Sequence, residues 1–349
     1  MAPATLFRRH DPASHAKYQD LKSLARAQAR ILAGTPGTLK KRTQGGRQYW
    51  VREYIRADGK KTDEYLGAVD SMAPKALQEI RDALDIAKAL AAGSSTLRLF
   101  GYQRIDRKPA AVLEALHNQG LLQAGLVLVG SHAYGALLNE LGLIAPGYKT
   151  QDIDLARGRP LKVALPADAS FQTVLAESGL RFVPVPGMPS HAPSASFKIP
   201  GADTLAVDLL VPGNKTGQIL AVDELKAHGQ AIPHLAFLLE EAIETVVLSP
   251  NQVIPVRVPA PERYLVHKMF SSQSRRTNDR DKVRKDLEQA AVLAVAMEDE
   301  NPGRLAETAA QFPAAGRAAM KQGCKAVSHL LEGRYPDVQT VLLKVAGRK

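Results

Sequence analysis

Between Gly125 and Pro259, short apolar runs alternate with stretches of helical spacing, and that alternation limits the middle of the chain to a sheet with helices packed on it. LVLVG (126–130) has the length and character of a strand covered on both faces. HAYGALLNELG (132–142) follows with helical spacing and a closing glycine. DIDLA (152–156), RFVPV, SASFKI and LAVDLLVP read as extended, and FQTVLAESG (171–179) as helical. A further helix is expected near 233–242, with strands near 243–248 and 253–258. The block is therefore α/β or α+β. After Pro259 the pattern turns helical to the end, opening with Pro261 at an N-terminal helix position.

The acids in these strands carry the chemistry. Asp152 and Asp154 are separated by one apolar residue, and on a strand residues two apart share a face. Two adjacent carboxylates repel, and one of them tends to take up a proton unless a cation intervenes. Oxygen ligands of this kind suit magnesium, which commonly takes one or two carboxylates together with phosphate oxygens. Asp208 stands inside the apolar run LAVDLLV (205–211), where a carboxylate is costly to bury without a partner or metal. An outward-facing position on an exposed strand is the plain alternative.

Two further features fit a phosphate. Gly130-Ser131 ends one strand and opens a helix, so backbone N–H groups and the positive end of a helix dipole point at whatever lies there. A simple helix cap explains the same pair. Lys268 lies in YLVHKMF, on an otherwise apolar helix, and Arg275, Arg276, Arg280, Lys282, Arg284 and Lys285 follow it. A lysine reaching a triphosphate offsets charge during transfer, whereas one on a helix surface can also keep its stem on the protein and its head in water.

The charge is unevenly placed. The chain carries +11, yet residues 1–62 hold 14 Lys and Arg against 4 acids, leaving 32 bases and 31 acids in the rest. A basic region on a neutral body attracts polyanions, nucleic acid first among them. Residues 13–33 read as a basic amphipathic helix stopped by Gly34, Pro36 and Gly37. GRQYWVREYIRADGKKTDEYLG (46–67) reads as a β-hairpin turning at Ala57-Asp58-Gly59. Its Arg47, Arg52 and Arg56 are the candidate nucleic-acid contacts, although a small packing element would use the same pattern. The single cysteine, Cys324, forms neither an internal disulfide nor a zinc cluster, which fits a reducing compartment. The first residues have no apolar core of a secretory signal, and no run approaches the length of a membrane span. A cytoplasmic protein is expected.

In order, the strand-Gly-Ser-helix, the Asp-Ile-Asp strand, the later strand Asp and the Lys-bearing helix resemble the DNA polymerase β-like nucleotidyltransferase superfamily. VGSHAYGALLNELG, TQDIDLA, LAVDLLVP and VRVPAPERYLVHKMFSSQSRRTNDRDKVRKDLEQA (256–290) carry the resemblance, which spans roughly 125–300 and is closest to a bacterial branch. Gly147-Tyr148-Lys149-Thr150 makes the gap between Gly-Ser and Asp-Ile-Asp longer than the usual pattern.

The resemblance implies a mixed-sheet α+β core, with Asp152 and Asp154 binding two Mg2+ (or Mn2+) ions that bridge a nucleoside triphosphate such as ATP. It implies that Asp208 binds the ion nearer the acceptor and helps deprotonate its hydroxyl. Gly130, Ser131 and Lys268 would hold the phosphates, with Arg276 and Lys282 in support and Asp286 orienting one of them. The expected order is a basic helix and hairpin (1–70), a helical connector (71–123), the catalytic domain (124–260) and a helical C-terminal domain (261–349). The expected activity moves a nucleoside monophosphate onto an acceptor hydroxyl, with RNA, a tRNA end included, favoured by the basic region. A protein or small-molecule acceptor, as in toxin-like enzymes, and a non-catalytic nucleotide- or nucleic-acid-binding regulator stay open.

Overall fold

A helix that starts at a proline and a strand that alternates apolar residues each need a partner surface, and the order of the elements supplies it. The computed structural model describes residues 5–147, 150–162, 165, 168–187, 192–201, 205–275 and 279–347. In chain order the N-terminal elements are β1 (Arg8–Arg9), α1 (Pro12–Arg26), β2 (Thr38–Gln44), β3 (Arg47–Ile55), β4 (Lys61–Ala68), α2 (Pro74–Leu99) and α3 (Arg107–Asn118). The middle comprises β5 (Leu126–Val129), α4 (Gly130–Glu140), β6 (Leu143–Ile144), β7 (Ile153–Arg157), α5 (Phe171–Ala176), β8 (Val183–Pro184), β9 (Ser196–Lys198), β10 (Ala206–Pro212), β11 (Ile219–Val222), β12 (Ala227–Ile232), α6 (Leu235–Leu239), β13 (Ala242–Leu248) and β14 (Val253–Pro259). Helices α7 (Pro261–Ser274), α8 (Arg280–Glu300), α9 (Arg304–Ala310), α10 (Arg317–Leu330) and α11 (Pro336–Val345) complete it. The fold is α+β.

The central sheet is mixed, in the order β11-β12-β10-β7-β5. Strands β7 and β10 run parallel, as do β10 and β12, whereas β5–β7 and β11–β12 are antiparallel. β9 shares the edge of β10 with β12, pairing with its first half. The expected strands and helices of the middle region form, with β6, β11 and β12 as additions that the sequence pattern did not announce.

One apolar core joins this sheet to α3 and to the helices after Pro261, so Leu128, Leu155, Leu209, Leu265, Leu293 and Val327 belong to a single buried cluster. The segment expected as a connector thus contributes α3 to the main core. α10 packs closely on α7 at Gly323, where any Cβ would run into the Met269 backbone, and Cys324 lies buried and free beside Met269 and Met320. Among the described residues no helix is long and apolar enough to cross a membrane.

At the N-terminus the hairpin is extended by β2 into a three-stranded antiparallel meander. Helix α1 ends at Arg26, short of the expected position 33, because the backbone at Ile31 pairs instead with the Asn118 carboxamide, N–H to Oδ1 and Nδ2 to C=O, each at 2.9 Å. Arg52 corrects an expectation. It is 2% exposed, with Nε donating to Glu64 at 2.7 Å, Nη1 to the carbonyls of Ala33 and Thr35 at 3.1 Å, and the guanidinium stacked over Tyr54. Its donors anchor the meander to the 33–36 loop and are not offered to a nucleic acid. Arg56 is partly exposed and tethers the same sheet through Nη2 to the carbonyl of Gly179 at 2.7 Å.

Glu114 sits in the core beneath this junction, accepting from Asn118 Nδ2 at 2.9 Å. Burial pushes its carboxyl up to about 7, although Arg30 and Arg52 pull the other way. A folded pKa above the unfolded one means that stability is fully present below the unfolded value near 4.5 and is lost as pH rises through about 7. Glu114→Gln removes this loss. Its melting temperature relative to wild type is therefore expected to climb between pH 5 and 8, by the equivalent of up to about 3 kcal/mol, as thermal unfolding across that range will test.

Candidate active site

Parallel strands keep residues of one register side by side on one face. β7 and β10 pair with Asp154 opposite Asp208, so the two carboxylates stand next to each other at the edge of an open cavity. Asp152 precedes the first strand residue, is exposed, and lines the same cavity. The alternation that projects Asp152 and Asp154 sends Ile153 and Leu155 into the core, both at 0% exposure.

The cavity holds about 460 Å³. Its floor is the turn from β5 into α4, where Gly130 has φ +66 and Ser131 lies in the first helical turn. The glycine is required twice over. An L residue is strained at that φ, and a Cβ there would collide with Oδ2 of Asp154. The Gly130 carbonyl is in turn 2.9 Å from the hydroxyl of the buried Tyr264, which also lies 3.1 Å from Oε1 of Gln289. Helices α7 and α8 therefore hold the strand-to-helix turn in place.

Those two helices supply the positive side. Lys268 Nζ and Arg275 Nε each contact the carboxylate of Asp286 at 2.7 Å, on Oδ1 and Oδ2 respectively, and Ser271 donates to Oδ2 at 3.2 Å. Lys268, Arg275, Lys282 and Lys285 all line the cavity. Asp286 is 0% exposed, and although burial works against its charge, Lys268 and Arg275 outweigh that and hold it below the ordinary carboxylate range.

The acids show the opposite behaviour. Burial first, then the neighbouring Asp208, push Asp154 up to about 6. Burial also raises Asp208, against a hydrogen bond donated by the Ser196 hydroxyl to its Oδ1. Half-buried acids whose charge is opposed by burial and by neighbouring carboxylates are the electrostatic setting that a divalent cation relieves, and an all-oxygen donor set suits Mg2+ or Mn2+. Among the described residues no three His, Cys, Asp or Glu side chains already converge as a metal-binding group. The carboxylates line one cavity without being drawn together on a common point.

The sequence profile of the nucleotidyltransferase family matches residues 107–313, more than half of the chain. The chain belongs to that family. The chain is similar to the crystal structure of an antigenic nucleotidyltransferase-like protein from Paracoccidioides brasiliensis, with 17% identity over 67% of this chain and 91% of that one and a TM-score of 0.34. No curated protein matches it.

Of the residues expected at the site, the structure brings Gly130, Ser131, Asp152, Asp154, Asp208, Lys268 and Lys282 to one cavity. Arg276 lies outside the described residues. Arg47, Arg52 and Arg56 do not line the cavity. Sequence reasoning passed over Arg275, Lys285, Tyr264 and His267 as cavity residues. A signal for part of this existed, since Lys282, Lys285, Asp286 and Gln289 recur at helical spacing on α8. His267 is buried with Nε2 unpartnered among the described residues, and burial, then Lys268, takes it down to about 4.

The collision at Gly130 separates backbone strain from site packing. Gly120 has a similar φ, +71, and a Cβ added there would meet nothing within 4 Å. Gly120→Ala is expected to lose about 1–2 kcal/mol in urea unfolding from the left-handed backbone alone. Gly130→Ala is expected to lose clearly more, because Asp154 must also move, and equal losses would mean that Asp154 yields freely.

Proposed function

We propose that this protein is a metal-dependent nucleotidyltransferase that moves a nucleoside monophosphate from a nucleoside triphosphate such as ATP to an acceptor hydroxyl. The observation that carries the reading is the cavity in which Asp154 and Asp208, on adjacent strands, and Asp152, just before the first of them, meet Lys268, Lys282 and Lys285 from two helices and Arg275 at the end of the first. A carboxylate cluster by itself repels a triphosphate, and a cationic cluster by itself offers no site for a cation. Together they suit a triphosphate bound with its counter-ion.

Asp152, Asp154 and Asp208 would hold Mg2+ or Mn2+, and the ion supplies charge neutralisation and polarises phosphate oxygens when bound. The chain's own groups do the rest. Ser131 and the first N–H groups of α4 receive the β- and γ-phosphates at the helix N-terminus. Lys268 and Arg275 sit in fixed positions because Asp286 holds both, so they offset phosphate charge with little reorganisation. Asp208, raised by burial, is suited to accept the proton of the acceptor hydroxyl. The hydroxyl oxygen attacks the α-phosphorus in line, the bond to the bridging oxygen breaks, and pyrophosphate leaves with the electron pair. Catalysis of this kind rests on positioning and electrostatics.

RNA is the acceptor that the basic N-terminal region favours. The test is incubation of the protein with Mg2+ or Mn2+, α-labelled nucleoside triphosphates and total cell extract, beside Asp152→Asn/Asp154→Asn. Label is expected in RNA with wild type, falling at least about 100-fold in the variant. Label in a protein or small molecule would keep the chemistry and replace the acceptor. Absence of both transfer and nucleotide binding would reject the enzyme and favour a non-catalytic regulator.

A further inference from the structure

The N-terminal meander presents one face to solvent, and its composition is unusual. Strand pairing sets Lys40 opposite Val51, Arg42 opposite Tyr49, and Glu53 opposite Asp63. Alternation therefore gathers Lys40, Arg42, Arg47, Tyr49, Val51, Glu53, Lys61, Asp63 and Tyr65 on one side. Arg52 and Tyr54 take the other side, where Arg52 bonds to the 33–36 loop. The face carries four cations against two carboxylates. Lys40, Arg42 and Lys61 all reach Glu53, at 2.6, 2.9 and 3.0 Å, so one acid holds three long side chains in a fixed array across all three strands. Arg47 begins β3 at the exposed end of the same face.

Two tyrosines lie within this array. Tyr65 is 64% exposed, and its ring is 5.6 Å from that of Tyr49, tilted by 56°. The open Tyr65 ring, with Tyr49 beside it, lies on the same face as the cations gathered around Glu53, so aromatic and cationic groups share one surface. A protein partner of acidic character would use the cations but has no particular need of an open tyrosine ring. A single-stranded nucleic acid uses both, with phosphates on the cations and an unstacked base on the ring. A duplex offers phosphates but keeps its bases stacked.

We propose that this face of the meander docks single-stranded nucleic acid, with a base stacked on Tyr65 and phosphates held by Arg42, Arg47, Lys40 and Lys61. None of these residues lines the catalytic cavity, so the proposal stands or falls separately from nucleotidyl transfer. It also relocates the expected nucleic-acid contact. Arg47 is retained, Arg52 is replaced by the cations around Glu53, and Arg56 is left tethering the sheet to Gly179.

The test uses the full chain, a short fluorescein-labelled oligouridine and a duplex of equal length, with anisotropy followed over a salt series. Tyr65→Ala, at an exposed position, is expected to weaken single-strand binding about tenfold, from the loss of one stacked base, and to leave the duplex unaffected. Arg42→Gln/Arg47→Gln is expected to lower the single-strand salt slope by roughly 1.4, at about 0.7 per phosphate contact. Thermal unfolding checks that each variant is folded. Absence of single-strand binding by wild type at low salt would overturn the proposal, as would unchanged affinity in Tyr65→Ala. Equal loss on single strand and duplex would overturn the stacking assignment and leave only a phosphate-binding surface.

Discussion

Two carboxylates in register on neighbouring parallel strands are the constraint around which the rest of this structure is arranged. Asp154 and Asp208 are fixed side by side by the backbone pairing of β7 and β10, and no rotation of the strands can part them without breaking the sheet. Both are raised above the ordinary range, so the fold keeps them at an electrostatic cost. The residues that offset it come from α7 and α8, far away in sequence. Lys268 and Lys285 both act on Asp154, and Lys282 acts on Asp208.

That long-range arrangement explains features which otherwise look unrelated. The buried Asp286 holds Lys268 Nζ and Arg275 Nε at 2.7 Å each, which fixes where both cations stand at the cavity wall. Pairing cations with a buried acid costs desolvation and adds little net stability, so its main effect here is on position. Gly130 lets Asp154 lie against the backbone of the β5–α4 turn, and Tyr264 grips the carbonyl of that same glycine from α7. Gly323 draws α10 onto the back of α7. Helical C-terminal elements are thus part of the site, in keeping with a family match that runs past residue 261 to 313.

The acids were legible in the sequence because a charge inside an apolar strand run violates the simplest pattern, and the two-residue period says which neighbours face away from it. Gly130 and Ser131 were legible for a similar reason, since a glycine between strand and helix patterns marks a special turn. β11 and β12 were not, because the segment from Gln218 to Ile232 interrupts its apolar residues with charges and makes its turn at Lys226, a non-glycine at φ +44. β2 was hidden for another reason. Its TLKKRTQ is an exposed edge strand, and a run of Lys and Arg gives no alternation to detect. Arg52 misled because an arginine in a basic strand looks like a surface charge, whereas burial depended on the carbonyls of a loop some seventeen residues earlier. Asp286 drew attention only as an adjunct to its basic neighbours, since on an amphipathic helix nothing local distinguishes a buried acid from a solvated one.

We propose that the acids and the basic helices together form one binding site for a triphosphate and its cation, and the functional reading of the cavity depends on that unity. Titration calorimetry of a non-hydrolysable nucleoside triphosphate, with and without Mn2+, tests it most directly when wild type is compared with Asp154→Asn/Asp208→Asn. Wild type is predicted to bind tightly only with Mn2+. The variant is predicted to lose that metal dependence and to bind the nucleotide equally with or without the ion, through the cations that remain. Binding by wild type that is indifferent to Mn2+, or metal dependence that survives in the variant, would contradict the single shared site.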